Sequence, residues 1–278
     1  MKRFFGLALL SAFSFCILNA QDVDSLRHPK DSALPMPLWN FFTHAGKLKD
    51  PAKTTLVTSA GKRISFDRFI ATLSPDIDSK RNVAEHALGD LDNDGRQELV
   101  ISNFTGEAHC CDEIYIFKEN AGRYQQTAKL FAGNVIITDS NTLIYDFHEQ
   151  FGYFFTCFAC GYSDTTDAAA VPMHHIELKY KNGKLVPVAG DKELNSLIND
   201  NLAKLTELPY EKPDDELFQD SGIRKEIAMN LAVYYYRFGK NLTATKALFN
   251  KYYKHPDSRA VWNEFNKQIQ AIRSGNNF

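Results

Sequence analysis

The chain has 278 residues, of which 44% are hydrophobic and 24% are charged. This composition is that of an ordinary globular protein, and it excludes a disordered tail, a collagen-like rod and a coiled-coil rod. The 32 basic and 34 acidic side chains give a formal net charge of −2, which excludes a strongly basic nucleic-acid-binding protein. The length is sufficient for one large domain, or two modest ones, with a sizeable core.

The first twenty residues have the pattern of a secretory signal peptide. Lys2 and Arg3 precede an apolar run over residues 4–18, and Ala20 offers a small residue at the expected cleavage point. The run is short for a bilayer-spanning helix, and no later segment is long and apolar enough to be one. We therefore expect a periplasmic or secreted protein that has no transmembrane segment after signal cleavage.

The next two segments differ in pattern. Residues 21–51 mix prolines, charges and aromatic residues without clear periodicity, and we interpret them as a lead-in segment. Residues 52–190 contain short runs of β-branched and aromatic residues separated by turn formers, which is typical of an antiparallel β-domain. Asn182-Gly183 predicts the clearest hairpin, because this pair tolerates positive φ at both turn positions. The predicted strands are Thr54–Thr58, Arg63–Phe66, Val83–Leu88, Leu99–Asn103, Glu113–Lys118, Tyr124–Phe131, Val135–Thr138, Thr142–Phe147, Gly152–Phe158, Ile176–Tyr180 and Lys184–Val188.

After Gly190 the spacing of the apolar residues becomes helical. Asp191 is placed to cap the first helix, Gly239 to end the second, and Pro256 to separate the last two. The predicted helices cover 191–205, 222–238, 242–253 and 256–272. Only about one and a half tetratricopeptide-like units fit here, and no repeat of roughly 34 residues is visible. We therefore predict an α+β fold in which the helical region, residues 191–278, caps the antiparallel β-domain.

The most specific motif is the acidic loop over residues 89–98, with the sequence GDLDNDGRQE. Its alternating carboxylates converge only if the backbone curls tightly, and Gly95 permits that curl. A hard cation such as Ca²⁺ takes about six to eight oxygen ligands. The predicted ligands are side-chain oxygens of Asp90, Asp92 and Asp94, the carbonyl oxygen of Arg96, and Glu98 directly or through a water. The alternative is a solvated acidic turn without an ion.

The loop is not an EF-hand, because its twelfth position is Ile101 rather than Glu and its flanks have strand patterns. The Asp-x-Asp-x-Asp-Gly motif, an acid three residues after the glycine and the following apolar strand resemble the calcium loops of FG-GAP and VCBS-type repeats. The resemblance implies Ca²⁺ as the ligand, and it covers residues 86–104. Only one copy is found, whereas a closed β-propeller needs at least about four blades, so we do not expect a propeller.

Four cysteines follow the signal segment, and an even number in an exported protein indicates disulfide bonds. We expect Cys110 and Cys111 to pair with Cys157 and Cys160, in either order. A vicinal bond needs a strained ring and a Cys157–Cys160 bond closes little chain, whereas each cross-pair contributes roughly 4 kcal/mol by closing a long loop. The alternatives are a Cys157/Cys160 redox pair, a copper or zinc site with nearby histidines, and a cysteine–histidine nucleophilic pair.

The segment over residues 105–111, TGEAHCC, is similar to a Gly-Gly-Ala-His-Cys-Cys signature of bacterial exported proteins, with Glu107 at the second glycine. The similarity implies that the ion loop and the disulfides form one unit, and it implies no activity.

We interpret the chain as a non-catalytic binding or structural module at the bacterial periphery, with an envelope protein or a glycan as its partner. No catalytic residue is predicted, because the sequence shows no phosphate-binding glycine loop, nucleophile elbow or metalloprotease helix. Two other hypotheses remain open. One is a periplasmic or extracellular hydrolase with a metal-assisted site near His109, and the other is a copper or zinc handling protein that uses the cysteines with His109, His174 or His175.

Overall fold

The structure is a computed structural model, and it describes residues 36–37, 55–70, 84–104, 112–132, 135–137, 141–158, 173–212, 220–276 and 278. The predicted signal peptide, most of the lead-in segment, His109, Cys110, Cys111 and Cys160 lie outside these residues. The described residues form antiparallel sheets followed by helices, so the predicted α+β fold with a C-terminal helical region is confirmed.

The strands of the described residues form three antiparallel sheets. A five-stranded sheet has the order β1-β8-β9-β10-β11, a four-stranded sheet the order β4-β5-β6-β7, and a small ribbon pairs β2 with β3. The strands are β1 (Met36–Pro37), β2 (Thr55–Val57), β3 (Arg63–Ser65), β4 (Ala84–Gly89), β5 (Glu98–Phe104), β6 (Asp112–Asn120), β7 (Arg123–Ala132), β8 (Val135–Ile137), β9 (Thr142–Asp146), β10 (His175–Lys181) and β11 (Lys184–Pro187).

The hairpin between β10 and β11 turns at the predicted Asn-Gly pair. Asn182 has φ +51° and Gly183 has φ +77°, as the tight turn requires. The side chains of β10 alternate, with Ile176, Leu178 and Tyr180 buried. The hairpin prediction is therefore confirmed.

The helices are α1 (Phe66–Ile70), α2 (Lys192–Glu207), α3 (Ile223–Arg237), α4 (Leu242–Tyr252) and α5 (Ser258–Gly275). Helices α2 to α5 begin and end close to the predicted positions, whereas α1 was not predicted and begins at Phe66, which was expected to end a strand. The Asp191 carboxylate accepts a hydrogen bond from the Leu194 amide at 2.8 Å and caps α2 as predicted. Gly239 follows the end of α3 with φ +88°, the left-handed conformation that commonly closes a helix.

One hydrophobic core joins the two larger sheets to the helices. It includes Ile116 and Leu130 of the four-stranded sheet, Leu178 of the five-stranded sheet, and Met229 and Ile269 of the helices, all of them fully buried. Helix α3 lies at the centre of this core, with buried residues on nearly all sides. The helical region is therefore packed on the β-domain, as expected of a cap.

A second, smaller core covers the opposite face of the four-stranded sheet. Leu56 from β2 and Phe66 from α1 pack against Leu99, Ile101 and Phe117. The four-stranded sheet is therefore buried on both faces, which explains why β5 is apolar at successive positions from Leu99 to Ile101.

The strand predicted over Gly152–Phe158 is wrong, because this segment forms consecutive turns. Amides of Phe151 and Phe154 donate to carbonyl oxygens three or four residues earlier, at 3.1 and 2.9 Å. The strand was predicted from the aromatic residues of the segment. Aromatic residues favour strands because their side chains pack well on a pleated sheet, not because their backbone prefers the extended conformation. In these turns Phe151 and Phe154 are buried in the main core, with ring centroids 5.6 Å apart.

Candidate cation-binding loop

The acidic loop connects β4 to β5, and its backbone curls as the sequence predicts. The Asp90 carboxylate accepts hydrogen bonds from the amides of Asp94 at 3.0 Å and Gly95 at 2.9 Å. The Arg96 amide donates to Asp94 Oδ1 at 3.0 Å. Asn93 and Gly95 have φ +57° and +83°, conformations that asparagine and glycine tolerate best. The loop is therefore held by its own carboxylates in a tight turn.

The curl brings three carboxylates together. Asp90, Asp92 and Glu98 each offer a ligand oxygen, and these oxygens lie within 4.8 Å of one another. The Glu98 side chain is fully buried, and that of Asp92 is 8% exposed. Asp92 Oδ1 and Glu98 Oε1 are buried without a hydrogen-bond donor. Buried carboxylate oxygens without donors are costly unless a cation or a proton compensates them.

Asp94, which was also a predicted ligand, stands apart from this cluster. Asp94 is more exposed, with 39% of its side chain accessible, and it is not one of the three clustered carboxylates. Arg96 was expected to act through its carbonyl oxygen, and its side chain adds a weak favourable interaction with Asp94.

A lysine from the neighbouring strand reaches into the loop. Lys118 on β6 is the cross-strand partner of Glu98 on β5. Its Nζ lies 2.8 Å from Asp92 Oδ2, 2.7 Å from Asp94 Oδ2 and 3.3 Å from Glu98 Oε1. The loop carboxylates therefore already have one cationic neighbour, which sequence analysis did not identify.

The charges of the loop remain unbalanced despite this lysine. The four acids Asp90, Asp92, Asp94 and Glu98 carry four negative charges, whereas Lys118 and the exposed Arg96 side chain supply two positive charges. Burial, together with repulsion from Asp92, raises the pKa of Glu98 above its ordinary value of 4.5. A raised carboxyl pKa means that the site favours a neutralised form of Glu98, through a proton or an additional cation.

The ion pairs with Lys118 lower the pKa of Asp94 and raise that of Lys118 itself, so they favour the charged form of both groups. The hydrogen bond from Lys118 holds the pKa of Asp94 below its ordinary value of 3.8. Burial acts to lower the pKa of Lys118, but hydrogen bonds to Asp92 and Asp94 outweigh it, and the pKa lies above the ordinary 10.5. At neutral pH, Lys118 is therefore a fixed positive charge in the loop.

Two further contacts attach the loop to the rest of the protein. Asn141, just before β9, donates from Nδ2 to the Asp90 carbonyl oxygen at 2.7 Å and to Asn93 Oδ1 at 3.2 Å. The Leu91 side chain is buried in the main core, and the Leu91 amide donates to Glu98 Oε2 at 2.8 Å. The carboxylate cluster is therefore connected both to the five-stranded sheet and to the core.

Of the predicted disulfide cysteines, Cys157 lies within the described residues and is disulfide-bonded. Cys110, Cys111 and Cys160 lie outside those residues, so the expected pairing of Cys157 with Cys110 or Cys111 stays a prediction. Among the histidines considered as metal ligands, His174 has its Nε2 2.7 Å from Glu226 Oε2. Within the described part of the chain, the acidic loop is the only group of three or more acidic, histidine or cysteine side chains close enough to share a metal ion.

Lys118 and Asn141 are the site residues that sequence analysis missed. Both are distant in sequence from the loop that they contact, by 26 residues from Asp92 and 51 residues from Asp90. The alternation of side chains along β6 does not specify which residue of β5 lies opposite Lys118. That contact depends on the register between the two strands.

Comparison of the chain with protein-family models, curated proteins and solved structures found no match. The resemblance to FG-GAP and VCBS-type loops therefore stays a prediction based on the motif. None of the helices in the described segments is both long and apolar enough to cross a lipid bilayer.

Proposed function

We propose that this chain is an exported, calcium-binding protein that acts as a non-catalytic binding or structural module at the bacterial periphery. The observation that supports the ion is the convergence of Asp90, Asp92 and Glu98, whose ligand oxygens lie within 4.8 Å of one another. Asp92 Oδ1 and Glu98 Oε1 are buried and form no hydrogen bond, although Lys118 Nζ lies 3.3 Å from Glu98 Oε1. An added cation compensates them directly.

The donor set favours calcium among common cations. All the available ligands are oxygens, which suit hard cations, and Ca²⁺ tolerates irregular geometry with carboxylates, carbonyls and waters at roughly 2.3–2.6 Å. Mg²⁺ requires near-ideal octahedral geometry. Asp90, Asp92 and Glu98 are the proposed side-chain ligands, and the Arg96 carbonyl oxygen and waters complete the shell.

The proposed role of the ion is to fix the loop. Glu98 joins the start of β5 to Leu91 through its Oε2 atom, and Leu91 is part of the main core. An ion on Glu98 and Asp92 therefore stabilises a loop that contacts both larger sheets. We propose that the resulting rigid surface recognises an envelope protein or a glycan, which is the partner class expected of an exported module.

The test is thermal unfolding of the mature, oxidised protein in Ca²⁺ and then in excess chelator. At a free Ca²⁺ concentration of about 100 times Kd, binding adds roughly 2.7 kcal/mol to the free energy of unfolding. This corresponds to a rise in Tm of about 5–10 °C. Asp92→Asn should abolish the rise, whereas Asp200→Asn, at an exposed position of α2, should keep it. Equal Tm values in calcium and in chelator contradict the proposal.

The other two hypotheses stay predictions. The hydrolase hypothesis depends on His109, and the copper or zinc hypothesis depends on cysteines of which three lie outside the described residues. Cys157 is disulfide-bonded, so it offers no free thiol to a metal in this state. A thiol count on the mature protein separates the metal-handling hypothesis from the disulfide prediction.

A further inference from the structure

We propose that Lys118 is an internal competitor of the cation and determines how tightly the loop binds it. This inference rests on the proposed function. Lys118 Nζ contacts two of the three clustered carboxylates, at 2.8 Å from Asp92 Oδ2 and 3.3 Å from Glu98 Oε1. The ammonium group therefore lies beside the oxygens that the metal ion needs.

The competition is clearest at Glu98. Its Oε2 atom accepts the Leu91 amide at 2.8 Å, which leaves Oε1 as the oxygen without a hydrogen bond. Lys118 is the cation near that oxygen. A Ca²⁺ ion bonded to Oε1 at roughly 2.4 Å lies next to the ammonium, where repulsion between a doubly and a singly charged cation in a buried site is strong. The two cations cannot both remain on Glu98.

Asp94 provides the position to which Lys118 withdraws. Asp94 lies outside the clustered triad, is 39% exposed, and has its Oδ2 2.7 Å from Lys118 Nζ. The lysine can keep this contact while it leaves Asp92 and Glu98, because its side chain is flexible and already 19% exposed. Calcium entry is therefore an exchange of cations, in which Lys118 retains its most exposed partner.

The exchange assigns different roles to the predicted ligands. Lys118 and the metal ion compete for Asp92 and Glu98. Asp90 is a ligand that is not among the ion-pair partners of Lys118. Asp94 keeps its ion pair with the displaced lysine. Binding of Ca²⁺ then breaks the ion pairs of Lys118 with Asp92 and Glu98. The affinity for Ca²⁺ is therefore lower than it would be for the same carboxylates without the lysine.

The experiment is isothermal titration with Ca²⁺ of the mature, oxidised protein and two charge-removing variants. Lys118→Met removes the ammonium and keeps the apolar stem, whereas Lys118→Gln also keeps a hydrogen-bond donor for the buried oxygens. We expect both variants to bind Ca²⁺ about tenfold to a hundredfold more tightly, because ion pairs with Asp92 and Glu98 no longer have to be broken. The matched control is Lys129→Met, which removes the ion pair of Lys129 with Glu113 on the same sheet and should leave Kd unchanged.

A second measurement follows Lys118 itself by NMR of the lysine side-chain ammonium groups. Without Ca²⁺ its signal should be protected from exchange by the carboxylates, and Ca²⁺ should shift or broaden it while the Lys129 signal stays in place. This readout does not depend on the folding of a variant. A Lys118 signal that is unchanged at calcium saturation overturns the inference.

The outcomes separate the inference from the proposed function. Equal Ca²⁺ affinity in the wild type and in both Lys118 variants overturns the inference and leaves the calcium site intact. Binding by the Lys118 variants alone supports the inference and overturns the proposed function, since the lysine then excludes the ion. Absence of binding in every variant that remains folded overturns both.

Discussion

Glu149→Gln should stabilise the protein at neutral and alkaline pH. Glu149 lies in the turn after β9, and its Oε2 atom is buried without a hydrogen-bond donor. Burial, with a further contribution from the charge of Asp146, raises the pKa of Glu149 from 4.5 to about 7. An ionised carboxylate is therefore less stable in the folded chain than in the unfolded chain.

The direction and size of the effect follow from proton linkage. Below pH 4.5 the carboxyl is protonated in both states and costs nothing, and stability is lost as the pH rises from 4.5 to about 7. This rise in the pKa of Glu149 corresponds to a loss of roughly 3 kcal/mol in the free energy of unfolding at high pH. Because Glu149 is partly exposed to solvent, we expect a loss of about 1–2 kcal/mol. Glutamine keeps the shape without the charge, so Glu149→Gln should raise Tm by about 3–6 °C at pH 8.

The assay is thermal unfolding by circular dichroism at pH 5 and pH 8, in the presence of chelator. At pH 5 the gain in stability from Glu149→Gln should be about a quarter of the gain at pH 8. The reason is that the Glu149 carboxyl of the wild type is protonated in most folded molecules at pH 5. Glu207→Gln, at the exposed end of α2, is the control and should show no such pH dependence. A Glu149→Gln variant that is no more stable at pH 8, or equally stabilised at both pH values, refutes the reasoning.

Two further changes test the packing around the core and the loop. Phe151→Ala should lower the free energy of unfolding by about 3–5 kcal/mol, because it empties a fully buried site. Tyr153→Ala, in the same turn but 61% exposed, should cost less than about 1 kcal/mol in the same urea titration. Asn141→Ala should speed hydrogen exchange at the amides of Asp94 and Gly95, because it removes the side-chain donor to Asp90 and Asn93. Unchanged exchange shows that the loop holds its shape without Asn141.

The features predicted correctly are those determined by local sequence. The Asn182-Gly183 turn, the Asp191 cap and the Gly239 helix end each depend on the conformational preference of one or two residues. The curl at Gly95 belongs to the same class, because the Asp90 carboxylate finds its amide donors only four and five residues away. Such interactions can be predicted without knowing the fold.

The features that were missed depend on contacts between distant segments. The ion pairs of Lys118 arise from the register between β5 and β6, which the sequence pattern of either strand does not specify. The turns after β9 were predicted as a strand because aromatic residues suit a pleated surface. Their rings instead pack against other parts of the core, including Phe151 on Phe265 of α5 at 6.1 Å between centroids.

The buried position of Leu91 gives the acidic loop an influence well beyond its own residues. This side chain belongs to the same core as helices α2 to α5, so opening the loop around Leu91 disturbs packing that the helices share. Folding of the sheets and helices should then be cooperative, with one transition rather than two. A cation bound more than 90 residues earlier in the sequence is expected to slow the amide exchange of the C-terminal helices. Those helices can thus report on the occupancy of an ion site that they do not form.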